Sequence, residues 1–241
     1  MSAPRKRRLG DTVERMLEVE GRRIVVRATR NRNARRISLR IDARRDCAIL
    51  TLPRRASLKS GFGFAQEKAE WLARKLGALP PLTPFEDDAV IPFRGEPLLI
   101  RHFPLAGPVP VHSTGILHVP GEPASVADRV LDWLRGQALI ELTLASEEKA
   151  AMVSLPPPKV GIRDPRSRWG SCSAAGRLSF SWRLIMAPPM VLDYVVAHEV
   201  AHLRHLNHGA KFKALAQSLT ESADAAETWL SKEGSALHRY G

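Results

Sequence analysis

Between Met190 and Leu206 the chain runs seventeen residues without a Gly or a Pro, and inside that run lies His198-Glu199-Val200-Ala201-His202. Pro188 and Pro189 stand just ahead of it, where the first turn of a helix loses nothing by a missing N–H. A helix from there places His198 and His202 on one face, since four residues rise only about 6 Å and turn slightly more than once. Both imidazoles can then reach a single ion at roughly 2.0–2.1 Å, which supplies half of a tetrahedral site. Glu199 lies about 100° further round the helix, beside such an ion and within reach of water that the ion activates, the position of a general base. The helix is predicted to end near Asn207 and Gly209, residues suited to a left-handed C-terminal turn, so that His208 folds back as the third ligand. His205 competes for that role from one turn further along, and is better suited to support the ligands from behind.

A pattern of three fixed residues in five can arise by chance, but its setting argues against chance here. Val191, Leu192, Tyr194, Val195 and Val196 make the body of the helix apolar, as in a helix buried beneath a cleft rather than one lying on the surface.

At 241 residues the chain has room for one large domain or two small ones. It shows no apolar run of eighteen or more residues and no apolar stretch after its basic start, so it is expected to be soluble and cytoplasmic, with no membrane partner. Cys47 and Cys172 are its two cysteines, far apart and without a Cys-x-x-Cys spacing, and both are expected to be reduced. The net charge is +12, with basic clusters at Arg5–Arg8, Arg22-Arg23, Arg30–Arg36, Arg44-Arg45 and Arg54-Arg55. Such a chain is drawn to nucleic acid, acidic protein or anionic surfaces, although no base-reading motif accompanies the charge.

The first ten residues read as a disordered basic tail. Three short alternating segments follow, Arg23–Arg27, Arg36–Ile41 and Cys47–Leu52, each predicted to be a strand with one apolar and one basic side. A helix is predicted from Ser57 or Ser60 to Gly77, then the proline-rich link 80–84, then strands around 89–93, 97–102, 109–112 and 116–119 arranged as two hairpins. His102, His112 and His118 fall there with no carboxylate or Cys at ligand spacing and are left outside the site. A long core helix is predicted from Ala124 to Met152, a strand over Lys159–Arg163, a turn at Trp169-Gly170-Ser171-Cys172, and a strand over Arg177–Leu184 whose free edge would hold an extended peptide. Two helices, over 211–220 and 223–232, complete the chain. Cys172 could be taken for a nucleophile, but metal-activated water needs none, and a structural turn is the preferred reading.

The segments Arg168-Trp169-Gly170-Ser171-Cys172-Ser173, Gly176–Leu184, Ala187-Pro188, Asp193–Leu203 and Asn207-His208 resemble the bacterial YgjP-type metallopeptidases, relatives of the WLM and SprT-like zincins. The resemblance is dense from Arg163 to Phe212 and looser elsewhere. It implies that His198, His202 and His208 carry the metal and Glu199 the catalysis. Where family members often have Trp after the Phe that follows the third His, this chain has Lys213.

The fold class expected is α+β, a zincin-like metallopeptidase domain behind a β-rich N-terminal region. Its expected divisions are a flexible segment over 1–20, the β-rich region with one helix over 21–120, and the catalytic domain over 121–241. The expected function is zinc-dependent hydrolysis of peptide bonds, with Zn2+ held by His198, His202 and His208 and with Glu199 as base. Arg168, Tyr194 and His205 are open candidates for stabilising the oxyanion. The expected partner is a peptide or protein substrate, with weak nucleic-acid binding through the basic N-terminal region. The competing reading is a nucleic-acid-associated zinc protein whose metal is structural, or whose peptidase acts only on proteins bound to nucleic acid.

Overall fold

The computed structural model describes residues 12–19, 21–104, 107 and 109–241. Arg5–Arg8 and the tail expected over the first ten residues lie outside the described residues. The chain divides into two compact units, one reaching to Pro80 and one running from Pro81 to Gly241, and the division falls at the proline-rich link.

The first unit is a four-stranded sheet with two helices on one face. Its strands are β1 (Val13–Val19), β2 (Arg22–Arg30), β3 (Ser38–Asp42) and β4 (Cys47–Leu52), in the order β1-β2-β4-β3, with β2 and β4 parallel. Alternation decides which side is buried: Ile24, Val26 and Ala28 of β2 and Ala48, Leu50 and Leu52 of β4 point to one face. There they pack on Phe62, Ala65 and Leu72 of the helices α1 (Leu58–Glu67) and α2 (Ala69–Gly77). Val13–Val19 was grouped by sequence with a flexible segment; it is a strand because Leu17 faces Ile24 across the register and is buried in this core. The single helix expected through Gly77 is two, broken at Lys68, whose φ of −101° and ψ of 14° leave the helical region.

The second unit begins with β5 (Val90–Phe93), β6 (Glu96–Phe103), β7 (Val111–Ser113) and β8 (Ile116–Pro120), two antiparallel hairpins joined by parallel pairing of β6 with β8. These strands were expected to belong with the N-terminal region. Instead Ile91, Leu98, Ile100, Leu117 and Val119 share one core with Val126, Val130 and Leu134 of the long helix α3 (Val126–Met152) and with the residues around the site. A third sheet, of order β10-β11-β9, follows from β9 (Lys159–Arg163), β10 (Gly170–Cys172) and β11 (Arg177–Ser181).

The expectation for β11 is overturned. The strand stops at Ser181 and passes into a buried 3-10 turn over Trp182–Met186. Its backbone pairs with β10 on one side and β9 on the other, so it has no free edge for a peptide, while Leu178 and Phe180 are buried on one of its faces. β10 and β9 are the edge strands, and β10 is the one that carries Gly170 and Cys172.

Three helices complete the unit, α4 (Pro189–Ala201), α5 (Ala210–Ser218) and α6 (Ala223–Lys232). The C-terminal segment is tied in by Thr83, whose N–H donates to Arg239 O (2.8 Å) and whose carbonyl accepts from Gly241 N–H (3.0 Å). The architecture is α+β, and no helix among the described residues is long and apolar enough to cross a membrane.

Candidate metal centre

Helix α4 is apolar around most of its circumference, with Val191, Leu192, Val195, Val196, Ala197, Val200 and Ala201 all buried. Such a helix is held from several sides and presents its few polar residues rigidly. It is also tied laterally. Asp193 pairs with the buried Lys149 of α3 (2.6 Å) and accepts a hydrogen bond from Thr220 Oγ1 (2.6 Å), while the same ammonium donates to Leu219 O (2.5 Å).

The helix ends earlier than expected, at Ala201 rather than near Asn207. The N–H groups of Leu203, Arg204 and His205 bond back to Val200, Ala201 and Ala201 at 3.0, 3.2 and 3.0 Å, a tightened last turn. His202 Nδ1 meets the carbonyl of His205 at 3.0 Å, which holds that turn closed. Gly209 is therefore no left-handed cap; with φ −76° and ψ −176° it is the extended residue that starts α5.

This early turn brings His208 back over the helix. Its Nε2 stands 3.2 Å from Nε2 of His202 and 3.2 Å from Nε2 of His198, and the three side chains form a cluster whose candidate ligand atoms all lie within 4.8 Å of one another. Two nitrogens each roughly 2.0–2.1 Å from one tetrahedral ion would be about 3.3 Å apart, so the spacing fits. The chemistry of the nitrogens fits as well. A carbonyl can only accept, so His202 carries its proton on Nδ1 and turns the Nε2 lone pair inward. Burial, and then the neighbouring His202 and His208, push His198 down to about 4, which keeps it a neutral donor at pH 7. The ring of His205 is not in the cluster; its carbonyl serves His202.

Beneath the three rings lies Phe212 of α5, buried, with ring centroids 5.0, 4.4 and 4.7 Å from those of His198, His202 and His208. It was expected only as a packing residue. Its ring is the floor that fixes the imidazole planes.

Glu199 is only 6 % exposed. Burial pushes its carboxyl up to about 7, opposed by the charge of Arg168 and by a hydrogen bond from the backbone N–H of Cys172. A carboxylate poised near neutrality suits a general base. Gly170 makes room for it, since a Cβ there would lie 2.6 Å from both Cγ and Oε1 of Glu199. The Trp-Gly-Ser-Cys segment thus acts through its backbone, and the Cys172 thiol, raised by burial and by Glu199, is not activated.

A cleft of about 470 Å³ opens beside these residues, lined by Arg168, Trp169, Gly170, Tyr194, Val195, His198, Glu199, Glu227 and Leu230. Tyr194 donates its hydroxyl to Glu227, and Trp169 is stacked against His238 with ring centroids 5.6 Å apart. A convergent histidine triad, a buried carboxylate and an open cleft are the parts of a metal-assisted hydrolytic site.

Comparison with known families gives a match to the YgjP-like metallopeptidase domain over residues 35–233. The chain belongs to the YgjP-like metallopeptidase family. The match takes in every residue of the cluster, the cleft and the Phe212 floor. A comparison with curated proteins finds no match. The other histidines of this YgjP-like chain serve packing and hydrogen bonding: His102 Nε2 contacts Gly121 O at 2.6 Å, His112 packs on Phe93 and Trp133, and His118 on Phe103.

Proposed function

We propose that the chain is a zinc-dependent metallopeptidase in which His198, His202 and His208 hold the ion and Glu199 is the general base. The convergence of three Nε2 atoms beside a buried carboxylate at an open cleft carries this reading. When bound, zinc supplies Lewis acidity, lowering the pKa of water toward about 7 and polarising a carbonyl. Glu199 accepts the proton of the attacking water at its carboxylate and returns it to the leaving amine, while the Cys172 N–H keeps that carboxylate oriented. Of the three candidates for the oxyanion, Tyr194 already gives its hydroxyl to Glu227 and the ring of His205 lies outside the cluster, so Arg168 at the cleft is the best supported.

Substrate backbone would pair with β10. Trp169 O accepts from Ser181 N–H (2.8 Å) and Ser173 N–H donates to Arg177 O (2.9 Å), so alternation turns the backbone of Gly170 and Cys172 away from β11. The Cys172 N–H is given to Glu199, which leaves the Gly170 backbone and the Cys172 carbonyl to pair with a peptide. An extended peptide laid there would be bound by main-chain bonds, with little regard to sequence. A structural metal would need a fourth protein ligand, whereas the cluster among the described residues has three.

Metal analysis together with hydrolysis of an unfolded protein tests the assignment. One zinc per chain is expected, with activity lost to a chelator and restored by zinc. His208→Ala should empty the site and His205→Ala should leave it filled; the opposite pattern would give the third ligand to His205. Gly170→Ala should displace Glu199 and cut kcat/KM by about 10²-fold, the scale of a 1 Å misplacement in a catalytic group, with zinc content unchanged. Parental kcat/KM in that variant would mean that Glu199 tolerates the displacement and is not the base.

A further inference from the structure

The net charge of the chain resides entirely in one unit. Residues 1–80 hold 21 of the 37 Lys and Arg and 8 of the 25 Asp and Glu, a net of +13, while residues 81–241 hold 16 and 17, a net of −1. Within the first unit the charge is further concentrated at one end of the sheet. The β2–β3 turn over 31–37 and the β4–α1 turn over 53–57 meet there, because Arg30 pairs with Leu52 and Ser38 with Thr51 in the strand register. Arg30, Arg32, Arg35, Arg36, Arg54 and Arg55 are exposed at that end, with Lys59 in the first turn of α1. No Asp or Glu occurs in 30–41 or 47–66, and Glu14 of β1 is paired with Arg27 (3.0 Å).

These turns are a built frame. Arg30 Nη1 donates to Arg54 O (3.0 Å) and Ala56 O (2.7 Å), Asn31 N–H to Leu52 O (2.9 Å), and Asn33 N–H to Asn31 Oδ1 (2.9 Å). Ser57 Oγ caps α1 through the N–H of Ser60 (3.0 Å). The arginines are thus presented from fixed backbone, which lowers the ordering cost of binding.

We propose that this end of the first unit binds the phosphate backbone of double-stranded nucleic acid without regard to sequence. Arginine forks match phosphate oxygens in pairs, and they outnumber lysine here six to one. Neither turn exposes a large apolar residue, so the patch lacks both the anchors of a protein interface and the wedge that enters a lipid surface. Neither turn contains an aromatic residue, so it lacks the stacking platform used for single strands. The proposal stands apart from the chemistry of the second unit.

Anisotropy of a labelled, mixed-sequence DNA or RNA duplex, titrated with the full zinc-loaded chain, tests it. With five exposed arginines free of the frame, the slope of log K against log salt should be about −4 to −5, a loss of about 10²–10³-fold between about 50 and about 200 mM. Arg35→Glu combined with Arg54→Glu should weaken binding at least about tenfold and flatten the slope by about 2. Arg74→Glu combined with Lys75→Glu makes the same change in net charge at the opposite end, where Gly77 of α2 adjoins Arg22, and should leave binding within about twofold. Arg35→Lys with Arg54→Lys should keep the slope. Equal loss from both charge reversals, binding indifferent to Arg35 and Arg54, or duplex displaced equally well by polyglutamate or by anionic vesicles would each overturn the assignment.

Discussion

Glu199→Gln should lower peptide hydrolysis by about 10²–10⁴-fold, the usual cost of losing a general base, while zinc content stays at one per chain. The amide keeps the size of the side chain and a group able to meet the Cys172 N–H, but it cannot accept a proton. The loss should appear in kcat with KM little changed, because in the proposed mechanism the carboxylate acts on the attacking water and does not hold the substrate. Three histidine nitrogens, and not Glu199, make up the cluster, so the metal has no reason to leave. Two outcomes would sink the reading: parental rates in the zinc-loaded variant, which would take the base away from Glu199, and loss of the zinc, which would make Glu199 a ligand.

The site was legible where its geometry is local. His198, Glu199 and His202 are placed by helical period alone, and the prolines before Met190 mark where the helix begins. The position of His208 follows from a different cause. It returns because the His202 ring bonds to the His205 carbonyl and closes the turn at 3.0 Å, a contact that helix-ending propensities at Asn207 and Gly209 do not encode. Alternation likewise gave β11 its inward residues, Leu178 and Phe180, but alternation is silent about edges: pairing with β9 on the far side is a long-range event that only the assembled sheet reveals. β1 was obscured by its charge, since Glu14, Arg15 and Glu18 hide a strand whose place depends on Leu17 meeting Ile24.

Glycine and phenylalanine carried the least visible information. Nothing in the residues around Gly170 announces that its missing side chain is the space filled by Glu199, which lies 29 positions further along the chain. Phe212 looks like any apolar residue of an amphipathic helix, yet it touches all three imidazoles. Both roles belong to the meeting of α4 with a separate strand or helix, and both shape the candidate site without any titratable group of their own.

The stability of the second unit should depend most on Arg183. Only 2 % exposed, its guanidinium donates from Nε to Asp164 Oδ1 (3.0 Å) and from Nη1 to Leu237 O (2.7 Å) and Tyr240 O (2.8 Å), with its face 4.4 Å from the Trp182 ring centroid. One side chain thus joins the turn after β9 and the C-terminal segment to the 3-10 turn ahead of α4. Arg183→Met fills much of the volume but strips the donors from a carboxylate and two carbonyls, and breaking a buried pair in this way costs about 3–5 kcal/mol. For a unit of this size that is a fall of about 6–20 °C in Tm. Arg183→Lys, with the charge but without the planar fork, should fall between the two. Thermal and denaturant unfolding of the zinc-free proteins would read these differences without any contribution from bound metal. If Arg183→Met melts within about 2 °C of the parent, less than 1 kcal/mol on the same scale, the C-terminal segment is held by its backbone bonds to Thr83 and not by the arginine.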